Sequence, residues 1–194
     1  MMAIHELSAS ALSQAIHAKQ VSCREVIQAY GDRLMHLNPM ANALVNLQPM
    51  DDLLRQAQSQ DHALARGESK GWLHGIPLAF KDLVDVAGIP TTCGSELLRD
   101  NIPTKDALLV QRLKAQGGIV IGKTNTPEWG LGSNTFNPVF GATGNAYNRA
   151  HTAGGSSGGA AVALAHRLLP VADGSDFMGS LRNPAAWNNV FGMR

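Results

Sequence analysis

Apolar residues recur at helical spacing early in the chain. Val26, Ile27, Tyr30, Leu34 and Leu37 share one face of a helix, and Ser22 followed by Glu25 supplies a capping-box start ahead of them. Asn38-Pro39 is expected to stop that helix, because the residue before a proline is pushed out of the helical region. The short apolar run Ala43–Leu47, bounded by Asn42 and Pro49, reads as a strand. Asp51 is then expected to cap a polar helix ending near Arg66-Gly67. From Gly71 the texture changes. Strand-like runs at Ile76–Phe80, Leu83–Val86, Gly118–Ile121 and Leu168–Ala172 alternate with helical stretches at Asp106–Gln116 and Ser157–Ala165. Such alternation predicts an α/β fold, a sheet covered by helices, preceded by a helical scaffold over residues 1–70.

Composition narrows the function classes. The 194 residues suffice for one domain with a sizeable core. At 44% hydrophobic and 16% charged, the chain is neither a disordered polyelectrolyte nor a coiled coil. Sixteen Lys and Arg against fifteen Asp and Glu, scattered along the chain, give a net charge of +1 and no basic face. Nucleic acid is therefore not an expected direct partner, and a small neutral ligand is. Cys23 and Cys93 lie 70 residues apart without a CxxC pattern or a His/Cys cluster, which argues against a disulfide framework, a zinc site or a redox motif. Both are expected to be buried, reduced thiols. Met1–Glu6 lacks the basic and apolar regions of a signal peptide, and no apolar run is long enough to span a bilayer. A soluble, cytoplasmic protein with no membrane partner is the expectation.

Glycine points to the candidate site. Ten of the 20 glycines fall between Trp129 and Ser180, which implies unusual backbone angles or close backbone approach. Gly117–Thr124 satisfies the letters of a phosphate-binding loop, but Ile119-Val120-Ile121 inside it is an obvious buried strand and Asn125-Thr126-Pro127 cannot cleanly start the helix such a loop needs. Gly154-Gly155-Ser156-Ser157-Gly158-Gly159 matches G-x-S-x-G twice, so a nucleophile elbow on Ser156 or Ser157 is one reading. Polar residues Asn145–Thr152 precede it instead of a strand, and His166 is the sole downstream histidine, which fits an elbow poorly. A flexible linker is a second reading. The third is two glycine pairs that leave free N–H groups and two hydroxyls in one small space at the start of a helix, suited to holding an oxyanion or relaying a proton.

Two more pieces carry chemistry. Asp173–Pro184 follows a strand-like run and presents Ser180 among consecutive backbone N–H groups, where a nucleophile with an oxyanion hole could be built. Lys81 stands alone inside an apolar strand pattern. At a strand edge it would be solvated. Buried, it would lose stabilisation of its charge and become available as a base near neutral pH.

In order and spacing, Gly75–Asp82, Gly122–Glu128, Gly154–Gly159 and Asp176–Pro184 resemble the landmarks of the amidase signature family, hydrolases with a Ser–cisSer–Lys triad. Ser156 follows Lys81 by 75 residues and Ser180 follows Ser156 by 24. The resemblance implies a mixed central β-sheet covered by helices, with 1–70 a helical region of the same domain and 71–194 the first part of the catalytic domain. It implies that Ser180 attacks an amide carbonyl, Ser156 beside a cis peptide shuttles the proton, and Lys81 is the ultimate base. It further implies oxyanion donors at Phe177, Met178, Gly179 and Ser180, a backbone position near substrate at Gly130, and bracing roles for Asp176, Arg182, Ser157 and Gly155. The side chains of Lys81, Ser156 and Ser180 are then expected within about 2.6–3.2 Å of one another. No metal or organic cofactor is implied, and the partner is a small-molecule amide.

Three features depart from the family pattern. Met178 stands where a glycine is usual, and Ala153 where proline is common. The third is length, since the family's domain continues beyond this point while the chain has 14 residues after Ser180. A fragment with the triad but little activity alone is expected, with an exposed apolar face that favours self-association. The glutaminase-type subunit of a tRNA-dependent amidotransferase, or a non-catalytic truncated remnant, are the alternatives.

Overall fold

A computed structural model describes residues 3–194. After a short 3-10 turn at Ile4–Glu6, three helices follow: α1 (Ala9–His17), α2 (Cys23–Ala41) and α3 (Met50–Ala65), with β1 (Leu44–Val45) between the last two. The capping box starts α2 as expected: Glu25 N–H donates to Ser22 Oγ at 3.1 Å and Ser22 N–H to Glu25 Oε2 at 2.8 Å. Such a cap contributes about 1 kcal/mol. Pro39 does not stop the helix. It sits in the last turn, where its missing N–H forgoes one bond to the carbonyl of the exposed Met35, and α2 runs on to Ala41 before Asn42 ends it at φ 48°. Asp51 does not cap α3 either; the helix begins at Met50 after Pro49, and Asp51 and Asp52 lie in its first turn, favourably placed for the helix dipole.

The sheet is small and mixed. Strand β3 (Ile119–Thr124) lies between β1, antiparallel, and β2 (Pro77–Lys81), parallel. Every residue of β2 and β3 is buried, so the ladder engages the segment whose letters mimic a phosphate-binding loop. α4 (Leu108–Ala115) forms the crossover from β2 to β3. A two-stranded hairpin, β4 (Phe136–Asn137) with β5 (Gly141–Ala142), precedes α5 (Gly158–Ala165) and α6 (Arg182–Trp187). One apolar core joins Leu12, Ile16, Tyr30, Phe80, Ile119 and Leu168, each worth roughly 1.5–3 kcal/mol of burial for residues of this kind. α5 packs against β1 and β3.

Two expected strands do not form. Leu83–Val86 turns directly after β2, with Val84 N–H bonded to the Lys81 carbonyl and only an isolated bridge from Val86 to Ile89. Leu168–Ala172 stays irregular because no neighbouring strand reaches it: no backbone group of Leu169–Gly174 bonds to another described residue. Cys23 is buried and free as expected, but Cys93 is only half-buried. Among the described residues no helix is long and apolar enough to cross a membrane.

Candidate active site

Lys81 is the last residue of β2 and is fully enclosed. Parallel pairing with β3, with Lys81 opposite Thr124, fixes its backbone, and its N–H donates to Asp173 Oδ1 at 2.8 Å. Its ammonium reaches the residues just before α5. Nζ donates to Ser156 Oγ at 2.5 Å, to Ser157 Oγ at 3.0 Å and to Ser175 Oγ at 2.9 Å. Burial pulls the Lys81 amine down to about 8, although the charges of Asp173 and Asp176 work the other way. Burial likewise raises the Asp173 carboxyl to about 6, against the opposing pull of the Lys81 N–H and the Lys81 and Lys123 charges.

Glycine lets the serine segment come this close. The Gly155–Ser156 peptide is cis, and a Cβ on Gly155 would lie 2.8 Å from the backbone of Ser133 and Asn134. A Cβ on Gly159 would meet the Asn125 N–H at 2.3 Å. Of the N–H groups expected to be free here, those of the second glycine pair are engaged: Gly158 donates to Thr135 Oγ1 at 3.1 Å and Gly159 to the Asn125 carbonyl at 3.2 Å. The second glycine pair thus serves close packing and offers no anion site. His166 caps the far end of α5, where its carbonyl accepts from Arg33, and it makes no hydrogen bond to either serine.

The loop before α6 is organised by one carboxylate. Asp176 accepts from the N–H groups of Gly179 at 2.7 Å, Leu181 at 3.3 Å and Arg182 at 3.1 Å, and from the Arg182 guanidinium at 2.9 and 3.1 Å. The guanidinium above all, together with these N–H groups, holds the Asp176 carboxyl far below the usual range. Gly179, at φ 98°, allows the turn. Its N–H is therefore spent on Asp176, while those of Phe177, Met178 and Ser180 make no hydrogen bond to another described residue. The Phe177 and Met178 side chains stand 87% and 81% exposed, so Met178 is turned outward. Ser180 is tied to the serine segment through its carbonyl, which accepts from Ser157 N–H at 2.9 Å. Its hydroxyl makes no hydrogen bond to Ser156 or Lys81, so the expected three-way contact is present on the lysine side only. Gly130, at φ 69°, sits in the loop after β3, facing Leu83.

These landmarks agree with a wider likeness. A family profile described as Amidase matches residues 25–194. The chain belongs to the amidase signature family. It is 42% identical over 193 residues, all but one residue of its length, to a glutamyl-tRNA(Gln) amidotransferase subunit of Alkaliphilus metalliredigens, of which it covers 39%. It is 40% identical to an acylamidase of Rhodococcus erythropolis over 98% of this chain and 40% of that one. The crystal structure of the peptide amidase of Stenotrophomonas maltophilia superposes with a TM-score of 0.88 at 37% identity, over 94% of this chain and 39% of that one. The chain therefore spans about two fifths of the length of the relatives it matches.

Two features of this neighbourhood escaped the sequence reading. Ser175 on the Lys81 amine is one. The other is a second buried lysine, Lys123, whose Nζ donates to the Val84 carbonyl at 2.7 Å and Thr91 Oγ1 at 2.8 Å and pairs with Asp82 at 3.4 Å. Lys123 follows an apolar strand run just as Lys81 does, and that shared signal could have found it. Among the described residues no cluster of His, Cys, Asp or Glu is arranged to hold a metal.

Proposed function

We propose that this chain carries the reacting residues of an amide hydrolase, with Ser180 as nucleophile, Ser156 as proton relay and Lys81 as base. The observation that carries the reading is the buried Lys81 amine on Ser156 Oγ, with its basicity lowered to about 8. At pH 7 such an amine is neutral on the order of 200 times more often than a solvated lysine. Neutral Lys81 takes the Ser156 proton as Ser156 takes that of Ser180, and Ser180 Oγ bonds to the carbonyl carbon of the amide. The free N–H groups of Phe177, Met178 and Ser180 are the donors available to the resulting oxyanion; a donor of this kind is typically worth about 100-fold to 1000-fold in rate. The relay then returns the proton to the leaving nitrogen, the C–N bond breaks, and water hydrolyses the ester on Ser180.

Residues 1–70 serve as scaffold to the catalytic part over 71–194 in this reading, and the substrate is a small-molecule amide. A second reading, the amide-hydrolysing subunit of an amidotransferase, is favoured by the 42% identity to a protein of that name. Treatment with a fluorophosphonate, followed by intact mass and peptide mapping, tests the shared chemistry. Labelling at Ser180, abolished in Ser180→Ala, is expected. Labelling at a different serine contradicts the assignment. Release of ammonia from glutamine by a longer chain, compared with hydrolysis of aryl amides, separates the two readings.

A further inference from the structure

The Lys81 amine faces three hydroxyls, whereas a relay needs one. Ser156, Ser157 and Ser175 each accept from Nζ, at 2.5, 3.0 and 2.9 Å. An ammonium has three N–H donors, so this arrangement satisfies the charged form completely. The neutral amine keeps two N–H groups and gains a lone pair. One of the three contacts must then reverse, with a hydroxyl donating to nitrogen, and which one reverses decides whether the base faces the relay.

Ser157 is committed elsewhere. Its single hydroxyl hydrogen is directed at the Ser175 carbonyl at 3.2 Å, and its oxygen also accepts from Ser175 N–H at 3.3 Å. It can therefore only accept from the amine. Ser175 is exposed, and its Oγ has Lys81 as its one hydrogen-bond partner among the described residues. Water can take the Ser175 hydroxyl hydrogen, which leaves an oxygen lone pair for Lys81. Ser156, almost fully buried, has no such outlet.

We propose that Ser175 is a positioning residue: with Ser157 it holds the two N–H groups of neutral Lys81, so that the nitrogen lone pair is aimed at Ser156. This rests on the proposed role of Lys81 as base. The segment carrying Ser175 is pinned for the task at its start, where Asp173 Oδ1 accepts from Lys81 N–H, and through the paired hydrogen bonds with Ser157. The charged groups that bear on the amine are Asp173 and Asp176, and Lys123 acts on Asp173. Ser175→Ala leaves all three in place.

Lysine carrying 13C at the ε position reports the Lys81 amine directly in this chain, with Lys81→Met identifying its signal and Lys123 as an internal control. Hydrogen bonding to the charged form favours that form, so Ser175→Ala lowers the Lys81 midpoint by about half a pH unit or more while Ser175→Thr keeps it. Fluorophosphonate labelling of Ser180 is then compared at about pH 9.5, above both midpoints, where protonation no longer differs. There Ser175→Ala slows labelling about tenfold, an effect of orientation alone, and Ser175→Thr restores it. An unchanged midpoint in Ser175→Ala overturns the proposal, and so does a lowered midpoint with labelling at the wild-type rate. If wild-type Ser180 takes no label, the two fifths of its relatives' length present here does not assemble the nucleophile, and the lysine titration alone decides whether Ser175 holds the amine.

Discussion

Two apolar runs of similar reading, Ile76–Phe80 and Leu168–Ala172, meet opposite fates. The first finds β3, is buried at every residue, and leads into a lysine whose amine meets three hydroxyls at 2.5–3.0 Å. The second finds no strand, leaves the backbone groups of Leu169–Ala172 without partners among the described residues, and lines a groove of about 630 Å³ with Tyr30, Leu164, Leu181 and Val190. Phe191 and Met193, which line the same groove, stand 86% and 77% exposed. The base side of the site is thus built on a buried, paired strand, the closed side, and the nucleophile side follows a stretch with no strand partner, the open side. That contrast matches the way Lys81 and Ser156 are in contact while the Ser180 hydroxyl is not.

The comparison can be broken from the closed side first. Phe80 is 1% exposed beside Lys81, and Phe80→Ala should cost about 3–5 kcal/mol in urea unfolding. Lys123→Met strands Asp82 without its ion-pair partner in a fully buried position. A loss of about 3 kcal/mol is expected in the same experiment, and a cost under about 0.5 kcal/mol would mean that Asp82 goes uncharged there. On the open side, Phe191→Ser should change stability by less than about 0.5 kcal/mol. It should instead reduce binding of a hydrophobic dye and any concentration-dependent self-association in sedimentation velocity. Equal destabilisation by Phe80→Ala and Phe191→Ser would erase the distinction between the two regions.

Legibility in the sequence follows the same division. Helix α2 and its cap, β2, β3 and Lys81 are visible because local pattern and final burial agree. Leu168–Ala172 misleads because strand pattern records a tendency, and a ladder needs a neighbour that the pattern does not contain. Pro39 misleads in another way, since a proline in the last turn forgoes only one hydrogen bond. The glycines around Ser156 and Ser157 mark the segment that meets the Lys81 amine, yet Gly158 and Gly159 owe their place to Thr135 and Asn125 across the fold, contacts that spacing cannot reveal. Ser175 carries no local signal at all: a serine in a turn is ordinary until a lysine 94 residues earlier is seen against it.

The central claim is that a buried, weakly basic Lys81 drives Ser180 through Ser156. Its most direct test is the rate of fluorophosphonate labelling at Ser180 as a function of pH, in the wild type and in Lys81→Met. Because the neutral amine is the active form and burial lowers its basicity, the rate should rise with pH through a midpoint near 8 and collapse in the variant. A rate that is flat from pH 6 to about 10, or that survives in Lys81→Met, would contradict the account.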